Sequence, residues 1–589
     1  MTETPQTTRR MAHIDYKWIA LSNTTLGILM AALNSSIILI ALPAIFRGIG
    51  INPLAPGETG YLLWSLLGYL VITAVLLVTC GRISDMFGRV RLYNAGFAVF
   101  TIGSIMLFFI QGSGNGAAMQ LIIFRLIQGV GGAFLFANST AILTDAFPAT
   151  ERGLALGVNT VCGIAGQFIG LILGGLLAAF NWRLVFLVSV PFGIIGTVWA
   201  YLMLHETARA RLHQKIDVLG NLLFAGGLTV LLVALSYGIE PYGASDMGWK
   251  NPWVIAGIVG GLILLALFVL VEQRVENPMF RLSLFRIRMF TMGNLSNLLA
   301  AMAQGGLQFM LIIWLQGIWL PLHGYNFDDT PLWAGIYMIP LTVGFLVMGP
   351  LSGYLSDKVG SRGLATTGMV IMAAAFIALT LLPANFVYPV FAVVILILGL
   401  GMGMFSAPNT TAIMNAVPAE YRGVSSGMIA TFRNIASTLS ITLIFSLVTV
   451  GLAKHLPGTL LDGLTTAGIP QGAATAVSHL PPVAAIFAAF LGYNPLATLL
   501  PPDVLQGVTQ ATRDTVLGNT FFPNLISGPF MDGVRVAFSA CAALAGVAAV
   551  VSFFRGGRVV HEHDDVGNAE GLAELAGPEM AVLEAERAD

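Results

Sequence analysis

The sequence predicts an all-α integral membrane protein: two pseudo-symmetric six-helix bundles with two further helices inserted between them, fourteen transmembrane helices in all. Three observations carry this prediction. Of 589 residues, 56% are hydrophobic and only 10% are charged, with a mean hydropathy of +0.83. A water-soluble domain carries about 25% charged residues, so lipid is the solvent for most of this chain. Fourteen apolar stretches are each long enough to cross a bilayer, which takes about 20 residues. Two copies of one short pattern, Gly81-Arg-Ile-Ser-Asp85-Met-Phe-Gly88-Arg89 and Gly353-Tyr-Leu-Ser-Asp357-Lys-Val-Gly360-Ser-Arg362, begin 272 positions apart, as expected of a chain built from two related halves.

The spans are expected near 17–45, 59–80, 91–110, 118–144, 153–179, 183–204, 217–237, 253–272, 290–315, 331–353, 363–383, 387–414, 424–452 and 530–553. A polar amino-terminal segment, 1–16, precedes them. The run from Lys17 to Ile45 is too long for a signal-peptide core and lacks a small-residue cleavage site, so it reads as an uncleaved first span. A second pair of loops, Pro148-Ala-Thr-Glu151-Arg152-Gly153 and Pro418-Ala-Glu420-Tyr421-Arg422-Gly423, begins 270 positions apart and makes spans one to six equivalent to spans nine to fourteen. The domains are therefore a first bundle at 17–204, a linker with two extra spans at 205–289, and a second bundle at 290–553. Within the second bundle an extracytoplasmic insertion at 454–529 has no counterpart. Its apolar core, Val483 to Tyr493, is too short to span, and a hairpin or interfacial helix resting on the outer face is expected. The tail, 554–589, is acidic. The amino end, the loops after even-numbered spans and the tail hold 20 of the 28 Lys and Arg, among them Arg89, Arg91, Arg211, Lys215, Arg286, Arg288, Lys358, Arg422, Arg555 and Arg558. Positive loops stay inside, so both termini are expected in the cytoplasm.

Basic residues occur singly between apolar runs and form no patch, which excludes nucleic acid as a partner. Cys80, Cys162 and Cys541 sit in or beside apolar runs without CxxC spacing, so neither a disulfide frame nor a metal site is expected, and no cofactor is implied.

Within the paired loops, Gly81, Gly88, Gly353 and Gly360 permit tight turns and close helix approach, while Asp85, Arg89, Asp357 and Arg362 offer a charge pairing that could latch one of two bundle arrangements. Span four contains Arg125, with Gln128 one turn along on the same face. A cation inside a span costs at least about 2.5–3.5 kcal/mol on insertion scales and faces an interior cavity with a partner. Span five spaces Gly166, Gly170, Gly174 and Gly175 for close backbone packing, with Gln167 among them. In span nine, Asn294, Asn297, Gln304 and Gln308 fall within about 80° on a helical wheel, and Gln304 matches Asn34 of span one across the 270 offset. Trp314, Phe309, Met302 and Met310 could line an adaptable apolar wall. Arg433, followed by Asn434, is the second span-interior cation. The 29 Asp and Glu all fall in loops, tails or span ends, such as Glu58, Asp145 and Asp532. No span-interior nucleophile, base or metal cluster suggests an enzyme.

The Gly81 and Gly353 loops resemble the signature of the major facilitator superfamily. The stretch from Asn181-Trp182-Arg183 to Pro191-Phe-Gly193, with Glu272, Asn277-Pro278 and Leu284-Phe285, resembles its fourteen-span drug/proton antiporter branch. The resemblance covers nearly the whole chain and implies a plasma-membrane multidrug efflux transporter that exports small amphipathic molecules by alternating access, with membrane lipids and protons as further partners. It implies that Asp85 and Arg89 hold the halves together in the outward-facing state and that Arg125 serves proton coupling. Two positions depart from the branch: Leu171 stands where its antiporter motif has Pro, and Asn34 stands where span one has Asp. An amide-lined interior with two arginines suits an anionic, lipid or glycolipid substrate, which is the alternative transporter reading. A transport-dead sensor or scaffold is the alternative outside transport.

Overall fold

A computed structural model describes residues 15–556 apart from 53–57, 149–150, 207–216, 244, 246, 276–277, 279, 419–421 and 493. The acidic tail and much of the Pro418–Gly423 loop thus lie outside the described residues. Fourteen helices are long and apolar enough to span: Tyr16–Ile49, Gly60–Ser84, Arg89–Phe108, Asn115–Ala146, Ala155–Phe180, Leu184–Met203, Val218–Tyr237, Pro252–Glu272, Arg288–Leu322, Thr330–Ser356, Ser361–Thr380, Tyr388–Asn415, Gly427–Thr466 and Phe521–Phe553. These are spans one to fourteen below. Among the described residues there is no strand beyond one isolated bridge between Tyr242 and Ser245.

Lipid gives apolar helices no reason to associate, so close packing must do it, and small residues make that possible. A Cβ on Gly166 would stand 2.6 Å from the Leu29 carbonyl oxygen, one on Gly174 would stand 2.8 Å from that of Ile37, and Gly170 meets the Leu33 carbonyl in the same way. Span five therefore lies directly on the backbone of span one, turn for turn. The second half repeats the contact with the glycines exchanged to the other partner. Gly305 and Gly306 of span nine lie against Ser437 and Ser440 of span thirteen.

The paired loops are equivalent in geometry. Gly88 and Gly360 both take positive φ, 104° and 85°, and their amides close the preceding helices onto Ser84 and Ser356. A Cβ on Gly81, by contrast, would meet nothing within 4 Å. The first and last spans end on one face of the molecule. Tyr16 donates to the His205 carbonyl after span six, and Arg288 Nε donates to the Phe554 carbonyl at 2.9 Å. This is called the terminal face.

The insertion departs from the expectation. Spans thirteen and fourteen run far into it, to Thr466 and from Phe521. Between them the helices Gln471–Ser478 and Pro482–Phe490 meet at a 93° bend. Every residue of Pro482–Phe490 is buried. It is not an interfacial helix on the outer surface but a plug driven into the bundle opposite the terminal face. Phe487 packs on Phe445 of span thirteen with centroids 5.2 Å apart, and Phe490 on Phe309 of span nine at 6.1 Å. The span-nine backbone opens into a π-turn at Leu315–Trp319 where it receives the plug. There a Cβ on Gly317 would come within 3.2 Å of the Phe490 amide nitrogen.

Candidate functional site

Arg125 is 1% exposed and sits in a network built by four spans of the first half. Its Nη1 donates to Asn34 Oδ1 at 2.6 Å and to Gln128 Oε1 at 2.8 Å. Asn34 Nδ2 donates to Ser189 Oγ at 3.1 Å, and Gln128 Nε2 to Ser104 Oγ at 2.8 Å. The guanidinium lies 4.5 Å from the centre of the Tyr69 ring. The Arg125 Nε has no hydrogen-bond partner. A fully buried charge is thus held by neutral oxygens and a ring face, the charge-assisted bonds offsetting part of its desolvation. The equivalent position in the second half is Ile395, fully buried.

Arg433 is the opposite case. Its side chain is exposed, and no described residue forms a hydrogen bond or ion pair with it. Between the halves on the terminal side runs a narrow cleft. Leu156 and Thr160 of the first half face Phe345, Thr410 and Met414 of the second across it. Among the described residues its lining carries hydroxyl and amide groups on apolar walls and no charged side chain. Away from the terminal face the halves are joined. Arg47 reaches Asp328 at 3.0 Å and donates to the Leu491 carbonyl of the plug at 3.4 Å. Gln316 Nε2 donates to the Ile40 carbonyl at 3.3 Å. A Cβ on Gly175 would stand 2.5 Å from the Pro331 carbonyl oxygen, so this fourth span-five glycine packs against the other half.

The span-nine polar stripe is divided. Asn294 is buried and donates to its own helix at Phe290, Asn297 leaves its buried Nδ2 without a partner, Gln304 donates to Met372 Sδ at 3.5 Å, and Gln308 is half-buried. Gln167 and Asn434 are also half-buried. The expected apolar wall needs correction. Trp314 is fully buried, donates to the Ala384 carbonyl at 3.0 Å and packs edge-on to Phe386, while Phe309 and Met310 are core residues because the plug occupies that side.

Of the loop residues, Arg89 Nη1 pairs with Asp145 Oδ2 at 2.6 Å within its own half, and Arg362 lies over the Phe553 ring at 4.3 Å. The side chains of Asp85 and Asp357 lie outside the described residues. The other end-of-span acids are engaged as well: Glu58 accepts the Asn52 amide at 2.6 Å, and Asp532 faces His455 and Arg535 at 2.9 and 3.3 Å. Arg555, read in the sequence only as a tail charge, is 1% exposed and ties Ser552 to Asn409 and Ser361. Burial, with Arg362 close by, pulls its guanidinium down to about 10. Its burial has no signal in a sequence that shows it just past a span.

The model of the Major Facilitator Superfamily matches residues 24–238 and 218–441. The chain belongs to that family. It is 31% identical over 425 residues to the riboflavin transporter RibZ of Clostridioides difficile, covering 72% of this chain and 86% of the relative. To the tetracenomycin C resistance and export protein of Streptomyces glaucescens it is 27% identical over 538 residues, 91% of each chain. To the multidrug resistance protein Stp of Mycobacterium tuberculosis it is 30% identical over 446 residues, 74% of this chain and 77% of the relative. These relatives place it in the fourteen-span drug-antiporter branch, whose members are transporters rather than enzymes. Among solved structures, a bacterial homologue of the lysosomal transporter Spinster, in an inward-facing and occupied conformation, superimposes with a TM-score of 0.55 at 15% identity, covering 92% of this chain and 97% of that one. At that identity the likeness is one of fold.

Proposed function

We propose that the protein exports amphipathic small molecules by alternating access, driven by a proton gradient, from a plasma membrane in which the terminal face is cytoplasmic. The observation that carries the reading is the asymmetry between the two ends of the cleft. The halves are parted on the terminal side, where a cleft lined by hydroxyl and apolar groups of both stands between them. On the other side they meet through Arg47–Asp328, Gly175 on Pro331 and the plug. That is the geometry of a carrier open to one side, and rocking the halves about the cleft would reverse it. The excess of Lys and Arg on the terminal side supports its cytoplasmic placement. Relatives named for drug resistance and export support the direction and the substrate class.

One feature favours substrates unlike cationic dyes. The two span-interior charges are Arg125, paired to neutral groups, and Arg433, which is exposed and without a partner among the described residues, and no described residue lining the cleft is a carboxylate. Neither arginine lines the cleft itself, but a span interior whose only fixed charges are cations favours neutral or anionic amphiphiles over cationic ones, lipid-like ones included. The test is flux in proteoliposomes under an imposed pH gradient, with neutral, anionic and cationic amphiphiles compared. Gradient-driven movement of the first two, abolished by Arg125→Ala, is expected. No movement of any class would leave the fold as a scaffold and end the transport reading.

A further inference from the structure

Away from the cleft, two carboxyl groups meet where spans seven and eight reach the terminal face. Asp217 caps span seven, its Oδ1 accepting the Gly220 amide at 2.8 Å. Glu272 ends span eight, is 3% exposed, and its Oε1 accepts the Phe280 amide. Each carboxyl group thus has one oxygen satisfied by a backbone N–H. The remaining two, Asp217 Oδ2 and Glu272 Oε2, are buried and have no hydrogen-bond partner among the described residues. They converge on one point, since a Cβ on Gly220 would collide with Asp217 Oδ2 and stand 3.1 Å from Glu272 Oε2.

Two ionised carboxylates in that arrangement would face each other with acceptors only, repel, and leave both oxygens without a donor at full desolvation cost. One proton removes all three difficulties, because a carboxylic O–H donates to the opposing carboxylate. The charged groups facing Glu272 are Asp217 from span seven and Arg82 from span two. Arg82 also donates to the Pro278 carbonyl, which anchors the connecting segment. We propose that Asp217 and Glu272 form a proton-binding site that holds one shared proton at neutral pH and thereby seats the segment 280–285 between the two halves.

The wider contacts give such a site its reach. The Phe280 ring, whose amide is held by Glu272, packs on Phe224 of span seven at 5.4 Å, on Phe268 of span eight at 5.7 Å and on Phe432 of span thirteen at 6.2 Å. Phe285 reaches the same Phe432 at 6.1 Å, and Phe432 immediately precedes Arg433. Thr79 of span two donates to Asn221 Oδ1 of span seven at 3.0 Å, tying the inserted pair to the first half beside the site. Losing the proton would set the two carboxylates against each other, and as they part the Glu272 carboxylate would carry the Phe280 amide it accepts with it, straining a contact that touches both halves. The inference is independent of which substrate is carried.

The test is infrared spectroscopy of the full protein in lipid nanodiscs, following the C=O stretch of protonated carboxyl groups as pH is raised from about 5 to 9, across and above the range where free carboxyls ionise. A protonated-carboxyl band is expected in the wild type near neutral pH, lost in both Glu272→Gln and Asp217→Asn and kept in Glu240→Gln. No such band, or a band that either of the first two variants retains, overturns the proposal. So does a wild type without the band whose melting temperature rises in sodium over choline chloride, which would assign a metal cation instead. An amide in place of a protonated carboxyl preserves the hydrogen bond, so both variants are expected to fold. Failure of both to fold also counts against a shared proton.

Discussion

Replacing Arg433 by Ala tests the electrostatic reading of the cavity with two readouts that a merely structural arginine would move differently. The guanidinium makes no hydrogen bond or ion pair with a described residue, so nothing is left unpaired when it is removed. An anionic group on a substrate about 4 Å away gains about 1 kcal/mol from a unit charge in water and about 4 kcal/mol at the effective dielectric of a protein surface. Arg433 is exposed, so the gain lies between these limits, and a loss of about 1.4 kcal/mol corresponds to about tenfold weaker binding of anions. Arg433→Ala is therefore expected to lower the apparent affinity for an anionic amphiphile about tenfold or more in a proteoliposome flux assay. A neutral one should be nearly unaffected, a cationic one should move faster, and Arg433→Lys should retain anion transport. The melting temperature should not fall, because an unpartnered cation contributes no pairing energy to the fold. A lower melting temperature with equal losses for all three substrate classes would refute the reasoning and make Arg433 a packing residue.

Three other substitutions follow from the contacts. Gly166→Val places branched carbon against the Leu29 carbonyl and is expected to cost about 1–3 kcal/mol by overpacking, read as a lower melting temperature in detergent; an unchanged value would show that spans one and five part easily. Phe487→Ala removes a fully buried ring from the plug, at a cost of about 3–5 kcal/mol. It should raise protease cleavage within 467–520, and an unaltered digestion pattern would mean the plug is held by the rest of its length. Asn34→Asp gives Arg125 a carboxylate at the place of its 2.6 Å amide bond. The pairing, worth up to about 4 kcal/mol, should hold the present arrangement and slow transport. A new proton-dependent flux of cations would show instead that the carboxylate titrates freely.

Much of this architecture is legible in the sequence because lipid enforces it. A bilayer fixes span length, so apolar runs locate the fourteen helices, and the glycines four apart in span five announce a backbone contact whose partner the structure identifies as span one. The plug was hidden for the same reason. A nine-residue apolar helix is too short to span, and sequence cannot distinguish resting on the bundle from entering it. Asn34 and Arg125 were each singled out, but their bond depends on which faces of spans one and four meet. Phe309 meets the plug and Trp314 the Phe386 and Phe391 rings, and an aromatic buried in such packing looks in sequence like one facing a cavity. Glu272 stands out in sequence only as part of the resemblance to the antiporter branch, at the end of a span. Its burial depends on Gly220 leaving room beside it and on the chain returning at Phe280.

Alternating access itself is tested most directly by locking the closed end. Arg47 and Asp328 meet at 3.0 Å across the halves opposite the terminal face. The double variant Arg47→Cys/Asp328→Cys, joined by a short bifunctional thiol reagent with a reducible linker, should lose transport on cross-linking and regain it on reduction, while still binding substrate from the terminal side. Undiminished transport with the halves joined there would contradict the account.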